Sequence, residues 1–276
     1  MRFHADQQWL LDSPELLALD ATSSVQPLLD LLIAKRNFEF EKTHRLGIYF
    51  EQLWFNLLTT SSSIESLEQN LQIIIDKQTL GEFDSIIKYQ NQIIHCELAV
   101  KFYLNIGIGS SLSDWVGPNL KDRFDNKYQR LFQHQLQLSE QPAVKPWLSG
   151  KGIIVNEKRL LTRGRLFYPW TSFVEQSFCY PKQVNEQHLK GFWIEYTDLS
   201  QLIESTDYHW YQLPRFYWLA EVSNADLNEL LPVAFDFEGF SLQKIVAVKD
   251  GIEVMRGFVV NQDWLDKAQL RVQAVS

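Results

Sequence analysis

The sequence predicts an α/β fold in which N-terminal packing helices precede a core ordered helix, three strands, helix, strand, and a β-rich aromatic lobe closes the chain. Three observations predict it. Two stretches of period-2 alternation, 80–87 and 93–104, flank the polar pair Gln90-Asn91, as in a hairpin whose side chains alternate between faces. A helical stripe of Leu46, Phe50, Leu53 and Leu57 lies before them. Rings concentrate in the last third, and two final alternations, 241–248 and 251–260, meet at Asp250-Gly251 as a closing hairpin. The expected organisation is residues 1–41 as packing helices, 42–170 as the core and 171–276 as an α+β extension packed with it.

Each element has its own justification. Trp9-Leu10-Leu11 with Leu16-Leu17, and Leu28-Leu29 with Leu31-Leu32-Ile33, each lie near a Pro that suits a helix start. A helix is expected over 42–59, with Gly47, Glu51, Trp54 and Leu58 on the row beside its apolar stripe, so that Glu51 stands at the edge of a buried surface. A Thr-Thr-Ser-Ser-Ser linker follows, then a strand at 71–75 and the hairpin. Gly107-Ile108-Gly109 lacks the third Gly and the immediate helix of a dinucleotide-binding turn. A helix is expected over 120–138 with Asn119 as N-cap and a row of Phe124, Tyr128, Leu131 and Leu138 interrupted by Gln135. Ile153-Ile154-Val155 reads as the fourth core strand. Phe167-Tyr168-Pro169-Trp170, Phe192-Trp193, His209-Trp210-Tyr211 and Phe216-Tyr217-Trp218 supply either core rings or platforms on which bases could stack.

Composition bounds the function. The 276 residues are 45% hydrophobic and 22% charged, enough for a sizeable core, and the net charge of −8 argues against indiscriminate nucleic-acid binding. Any such binding needs a local basic stripe. Residues 150–168 provide one, with Lys151, Lys158, Arg159, Arg163 and Arg165 against the single acid Glu157. Cys96 and Cys179 make neither a disulfide framework nor a Cys-x-x-Cys metal knuckle. No apolar run reaches the ~18 residues of a membrane span and the N-terminus does not read as a signal peptide, so a cytoplasmic location is expected.

The chemistry centres on the hairpin. A two-residue loop at Gln90-Asn91 pairs residues whose numbers sum to 181, which puts Asp84 opposite Glu97. Cross-strand carboxylates with Cβ atoms ~4.5–5.5 Å apart repel. A divalent cation, Lys101 on the same face or a shared proton could compensate. Otherwise the pair belongs to a solvated face. Glycosidases also use paired acids, but adjacent strands leave little room for a sugar between them.

Asp84 on one strand, then Glu97 and Lys101 on the next, after a helix bearing Glu51, resembles the PD-(D/E)xK nuclease superfamily, whose fold is restriction-endonuclease-like. The whole chain is also similar to an uncharacterised bacterial family, domain of unknown function 1853. The phrases that carry this are Gly47-Ile48-Tyr49-Phe50-Glu51, Leu80-Gly81-Glu82-Phe83-Asp84, the run from Glu97 to Leu104, and Gly117-Pro118-Asn119. The nuclease resemblance implies that Asp84 and Glu97 bind Mg²⁺ (or Mn²⁺), that Glu51 joins them, that Lys101 positions the attacking water or stabilises the scissile phosphate, and that Lys127 and Gln135 lie near the site with nucleic acid as substrate. Arg163 and Arg165 of the basic stripe would then contact its phosphates. The motif places its Lys two residues after the acid, where this chain has Ala99, and Lys101 is roughly 13 Å from Glu97 along a regular strand. A nuclease-like module that binds nucleic acid or a protein partner without turnover is the alternative expectation.

Overall fold

In the computed structural model, which describes residues 2–35, 45–204, 207–233 and 240–273, the strands are folded by three two-residue turns of one kind. Gln90-Asn91 joins β2 (Gln78–Tyr89) to β3 (Gln92–Asn105), with φ of 48° and 64°. Asp76-Lys77 joins β1 (Ile64–Ile75) to β2 with φ of 51° and 64°. Paired left-handed residues are the type I′ signature, whose twist matches that of the strands it connects. The β2–β3 register runs Tyr89↔Gln92 to Ser85↔Cys96, the predicted sum of 181 at every pair.

The remaining elements, in chain order, begin with α1 (Arg2–Asp12), α2 (Gln26–Leu29) and α3 (Leu46–Leu58) before β1. After β3 come β4 (Trp115–Val116), α4 (Phe124–Arg130), α5 (Val144–Gly150), β5 (Glu157–Pro169), α6 (Trp170–Val174) and β6 (Leu189–Glu195). Last come α7 (Leu199–Glu204), β7 (His209–Gln212), α8 (Asn224–Leu227), β8 (Leu242–Lys249), β9 (Ile252–Val260) and α9 (Gln262–Gln273). The protein is thus mixed α/β, with a mostly antiparallel sheet ordered β1-β2-β3-β5-β6-β9-β8-β7 and β4 paired to β3. Among the described residues no helix is long and apolar enough to cross a membrane.

The chain divides into two compact units, each discontinuous in sequence. The first comprises Phe3–Val100 and Lys127–Arg163. Its core joins Ile73, Phe83 and Ile86 of the strands to Leu138, Val144, Leu148 and Ile153. Helix α3 buries Tyr49, Phe50, Leu53, Trp54 and Leu57, and Trp54 Nε1 donates to Ser85 Oγ on β2 at 3.1 Å, which fixes the helix over the strands. The expected start of this helix at 42–44 lies outside the described residues.

Three expectations for this part of the chain are corrected. Strand β1 begins at Ile64 rather than at 71. It is an edge strand whose early residues Glu65, Ser66 and Gln69 face solvent, so it lacks the apolar alternation by which strands are recognised. Ile153-Ile154-Val155 is not a strand. Ile153 plugs the core, Ile154 is exposed, and β5 starts in the basic run itself after Asn156 exchanges hydrogen bonds with the Ile93 backbone. The helix over 120–138 is broken as well. Leu120 sits at φ 61°, Asn119 accepts from Lys121 N within its own loop, and α4 is followed by a π-helical turn at Leu131–Gln135 and a 3₁₀ turn at Leu138–Glu140.

The second unit holds Lys101–Asn126 and Gly164–Ser276 with Arg2. Here β5, β6 and β9 run parallel, and β9 returns antiparallel to β8 through Asp250-Gly251, the predicted closing hairpin (φ 51° and 77°). The rings are largely core. Phe167 meets Phe258 edge-on at 4.6 Å, and Trp170 meets Phe192 at 5.0 Å. Gly164, at φ 148°, abuts the Lys101 carbonyl so closely that any Cβ there would collide with it.

Candidate active site

The first unit gathers a polar cluster on the β2–β3 hairpin. The I′ turn fixes the register, the register sets Asp84 and Glu97 side by side, and Asp84 Oδ2 accepts the Leu98 N–H at 2.8 Å. The two carboxyls lie close enough that the Glu97 charge opposes ionisation of Asp84. Glu97 is fully buried, whereas Asp84 is half-buried and reaches solvent. Both Glu97 oxygens are otherwise engaged. Oε1 pairs with His95 Nε2 at 2.7 Å and Oε2 accepts from Gln135 Nε2 at 2.6 Å.

Gln135 arrives by a local irregularity. In the turn at Leu131–Gln135 the Leu136 N–H reaches back to Leu131 O, five residues rather than four, and such π turns recur at functional sites. Gln135 Oε1 in turn accepts from Lys127 Nζ at 2.9 Å. A chain of contacts therefore runs His95, Glu97, Gln135, Lys127. Glu51, half-buried on α3, lies close enough to feel the Asp84 charge and hydrogen-bonds to Asn70.

Electrostatics follow from burial. Removal from water lifts the Asp84 carboxyl from 3.8 to about 7, helped by the neighbouring Glu97 charge and resisted by the Leu98 N–H and the Lys127 charge. Glu97 rises from 4.5 to about 7, again chiefly by burial, with Lys127 opposing. Glu51 rises to about 7 through burial and then the Asp84 charge. Burial also drives His95 down to about 4, so its ring is neutral at neutral pH. Burial thus moves all three carboxyls toward the neutral form.

The other residues expected at the site have different occupations. Lys101 Nζ bonds Asp122 Oδ2 at 2.6 Å, and Tyr103 OH shares that oxygen at 3.2 Å. Arg163 is fully buried, its guanidinium paired with Glu15 at 3.2 Å and donating to Leu10 O. It is not on a solvated face. Arg165 is half-buried and donates to Lys190 O at 2.6 Å, and burial lowers it to about 9. Of the rest of the stripe, Arg159 is tied to Glu157 and Lys158 to Gln137. The positive charge that bears on both Asp84 and Glu97 is that of Lys127. His95 is the residue to which the sequence alone assigned no role. Its place two residues before Glu97, on the same strand face, was the available signal.

Among the described residues no three His, Cys, Asp or Glu side chains form a group that could hold a metal ion. The donor set is instead two adjacent carboxyls, Asp84 and Glu97. Of these, Asp84 reaches solvent, while Glu97 is fully buried with both oxygens hydrogen-bonded.

No curated protein and no solved structure matches the chain. A family model described as "Domain of unknown function (DUF1853)" matches residues 5–234. The chain that carries this acid pair, with its π-turn glutamine and lysine, therefore belongs to the DUF1853 family.

Proposed function

We propose that the protein is a divalent-metal-dependent phosphodiesterase acting on nucleic acid, a reading that its resemblance to PD-(D/E)xK nucleases suggests. The observation that carries it is the adjacent pair Asp84–Glu97, both carboxyls raised to about 7, with Lys127 linked to Glu97 through Gln135. Asp84 and Glu97 would hold Mg²⁺ or Mn²⁺, which supplies Lewis-acid polarisation of a phosphoryl oxygen and a more acidic bound water. Glu51, half-buried beside Asp84, orients that water. Lys127 takes the place expected of the motif lysine: its ammonium faces the acids and stabilises negative charge developing on the phosphate, while Lys101 stays bound to Asp122. Gln135 keeps Lys127 and Glu97 in fixed relation, so that the ammonium is positioned before substrate arrives.

The test is incubation of the purified protein with single-stranded and duplex DNA and RNA in Mg²⁺ or Mn²⁺, beside Asp84→Ala, Lys127→Met and Lys101→Met. Cleavage abolished by the first, reduced 10²-fold or more by the second and nearly unchanged by the third is expected. Cleavage that survives Asp84→Ala, or that follows Lys101 instead of Lys127, refutes the assignment.

A second reading, a nuclease-like module that binds without turnover, is favoured by the complete burial of Glu97 and by Ala99 at the motif position. Salt-dependent binding of nucleic acid without cleavage would select it.

A further inference from the structure

Asn70 has a backbone that no other non-glycine strand residue adopts among those described. Its φ of 50° is left-handed, and the other non-glycine residues with positive φ all lie in turns or loops, whereas Asn70 lies inside β1. Asparagine tolerates this region better than most residues, but a strand does not call for it. Left-handed residues held inside regular structure gather at functional sites, and Asn70 lies beside the candidate one.

The pairs Gln69↔Ser85 and Leu71↔Phe83 keep one register, which sets residue 70 opposite Asp84 and makes a single row of Asn70, Asp84 and Glu97 across β1, β2 and β3. Edge strands are often blunted by irregularities. β1 already has two, between Ser66 and Glu68 and between Ile73 and Ile74, and Asn70 adds no register shift to them. Its left-handed backbone re-aims one side chain and leaves the ladder in step.

Gln72 shows what a residue with ordinary backbone does on the same strand. It gives its amide to its cross-strand partner Glu82, at 3.2 Å. A regular residue 70 would offer its amide to Asp84 in the same way, but Asn70 hydrogen-bonds to Glu51 of α3 instead. We infer that Asn70 is a positioning residue, whose left-handed backbone aims its amide at Glu51 and so holds an acid carried by a separate helix against the face on which Asp84 lies. The inference rests on the reading of this face as the reactive one, and it gives a role to a residue which that reading does not use.

Glu51 needs such a holder. The Trp54 bond to Ser85 fixes α3 over the strands but leaves the Glu51 side chain free to turn. The charges that bear on Glu51 are those of Asp84 and Glu82, both negative, and neither attracts it. An amide N–H donates equally well to a carboxylate and to the carbonyl oxygen of a carboxylic acid, so Asn70 holds Glu51 whether or not that group carries its proton.

Two measurements test this on the full chain. In ¹H–¹⁵N spectra the Asn70 side-chain amide resonance, assigned by its loss in Asn70→Gly, should move in Glu51→Ala, and Glu82→Ala should move that of Gln72 instead. An Asn70 resonance that Glu51→Ala leaves in place overturns the inference. Asn70→Gly keeps the left-handed backbone at no steric cost and removes only the amide. Its urea midpoint should be no lower than that of wild type, while kcat for nucleic-acid cleavage in Mn²⁺ falls about 10-fold at unchanged KM. Added to Glu51→Gln, it should cost nothing further, because the two residues act as one unit. A glycine variant with wild-type kcat, a double variant whose loss is the product of the single losses, or a variant altered only in self-association overturns the inference. A wild-type protein that cleaves no nucleic acid overturns the phosphodiesterase reading itself, and the amide resonance still decides whether Asn70 holds Glu51.

Discussion

Replacing Asp84 with Asn should make the protein more stable at alkaline pH. Lifting a carboxyl from 3.8 to about 7 corresponds to ~4 kcal/mol at 1.36 kcal/mol per pKa unit. The sign is that of a raised carboxyl. Below about pH 4 it is protonated in both folded and unfolded chains and costs nothing. Between pH 4 and 7 the unfolded chain ionises while the native one keeps its proton, so the cost grows, and above pH 7 it is complete. Asn at 84 still offers an oxygen to the Leu98 N–H and gains an NH₂ for Glu97, so the hydrogen bonds that Asp84 makes are preserved. Because the Asp84 and Glu97 carboxyls act on each other, part of the relief is already counted at Glu97, and a gain of roughly 1–3 kcal/mol is expected at pH 8. Urea unfolding at pH 4.5, 6 and 8 measures it. The two proteins should have close midpoints at the lowest pH and diverge steadily above it. A variant no more stable than wild type at pH 8, or a difference independent of pH, refutes the claim that burial and proximity of these acids cost the fold stability.

Three further outcomes are expected. Arg163→Met leaves Glu15 buried without its charge partner and should cost about 3–5 kcal/mol in urea unfolding. Lys244, buried among Phe102, Phe167, Trp218 and Phe258 with no hydrogen-bond partner for its amine among the described residues, has its pKa pushed well below the usual lysine value by desolvation and then by the Arg256 and Arg165 charges. A lowered lysine is a burden below its unfolded pKa that eases as pH rises, so Lys244→Met should raise the melting temperature at pH 7 and the gain should shrink toward pH 11. Gly164→Ala, forced against the Lys101 carbonyl at φ 148°, should lower expression of folded protein and reduce the melting temperature by several degrees, as circular dichroism would show.

What the sequence reveals depends on how local the governing physics is. The Gln90-Asn91 hairpin and its register were legible because a two-residue loop and the alternation around it are determined within a few residues, and the opposition of Asp84 and Glu97 came with them. The closing hairpin at Asp250-Gly251 was legible for the same reason. Strand β1 was half missed because an edge strand has one neighbour to pay its hydrogen bonds and no need of an apolar face. The helix at 120–138 was overdrawn because nothing in the composition announces that Leu120 turns left-handed. Arg163 reads as a surface base until Glu15, from the far N-terminal side of the chain, is folded against it. The partners of Glu97 split along the same line: His95 lies two residues away in a regular strand, whereas Gln135 reaches Glu97 through a helical defect that no propensity predicts.

That defect has an evolutionary side. A π turn is an α-helix carrying one surplus residue, and each residue advances the helix by about 100°. Deleting a single codon within 131–135 would relax the segment to ordinary pitch, swing the glutamine amide away from the acid and uncouple the lysine, while the hairpin beneath would keep its shape. A lineage could therefore silence or restore this cluster through one indel, leaving every carboxylate in place.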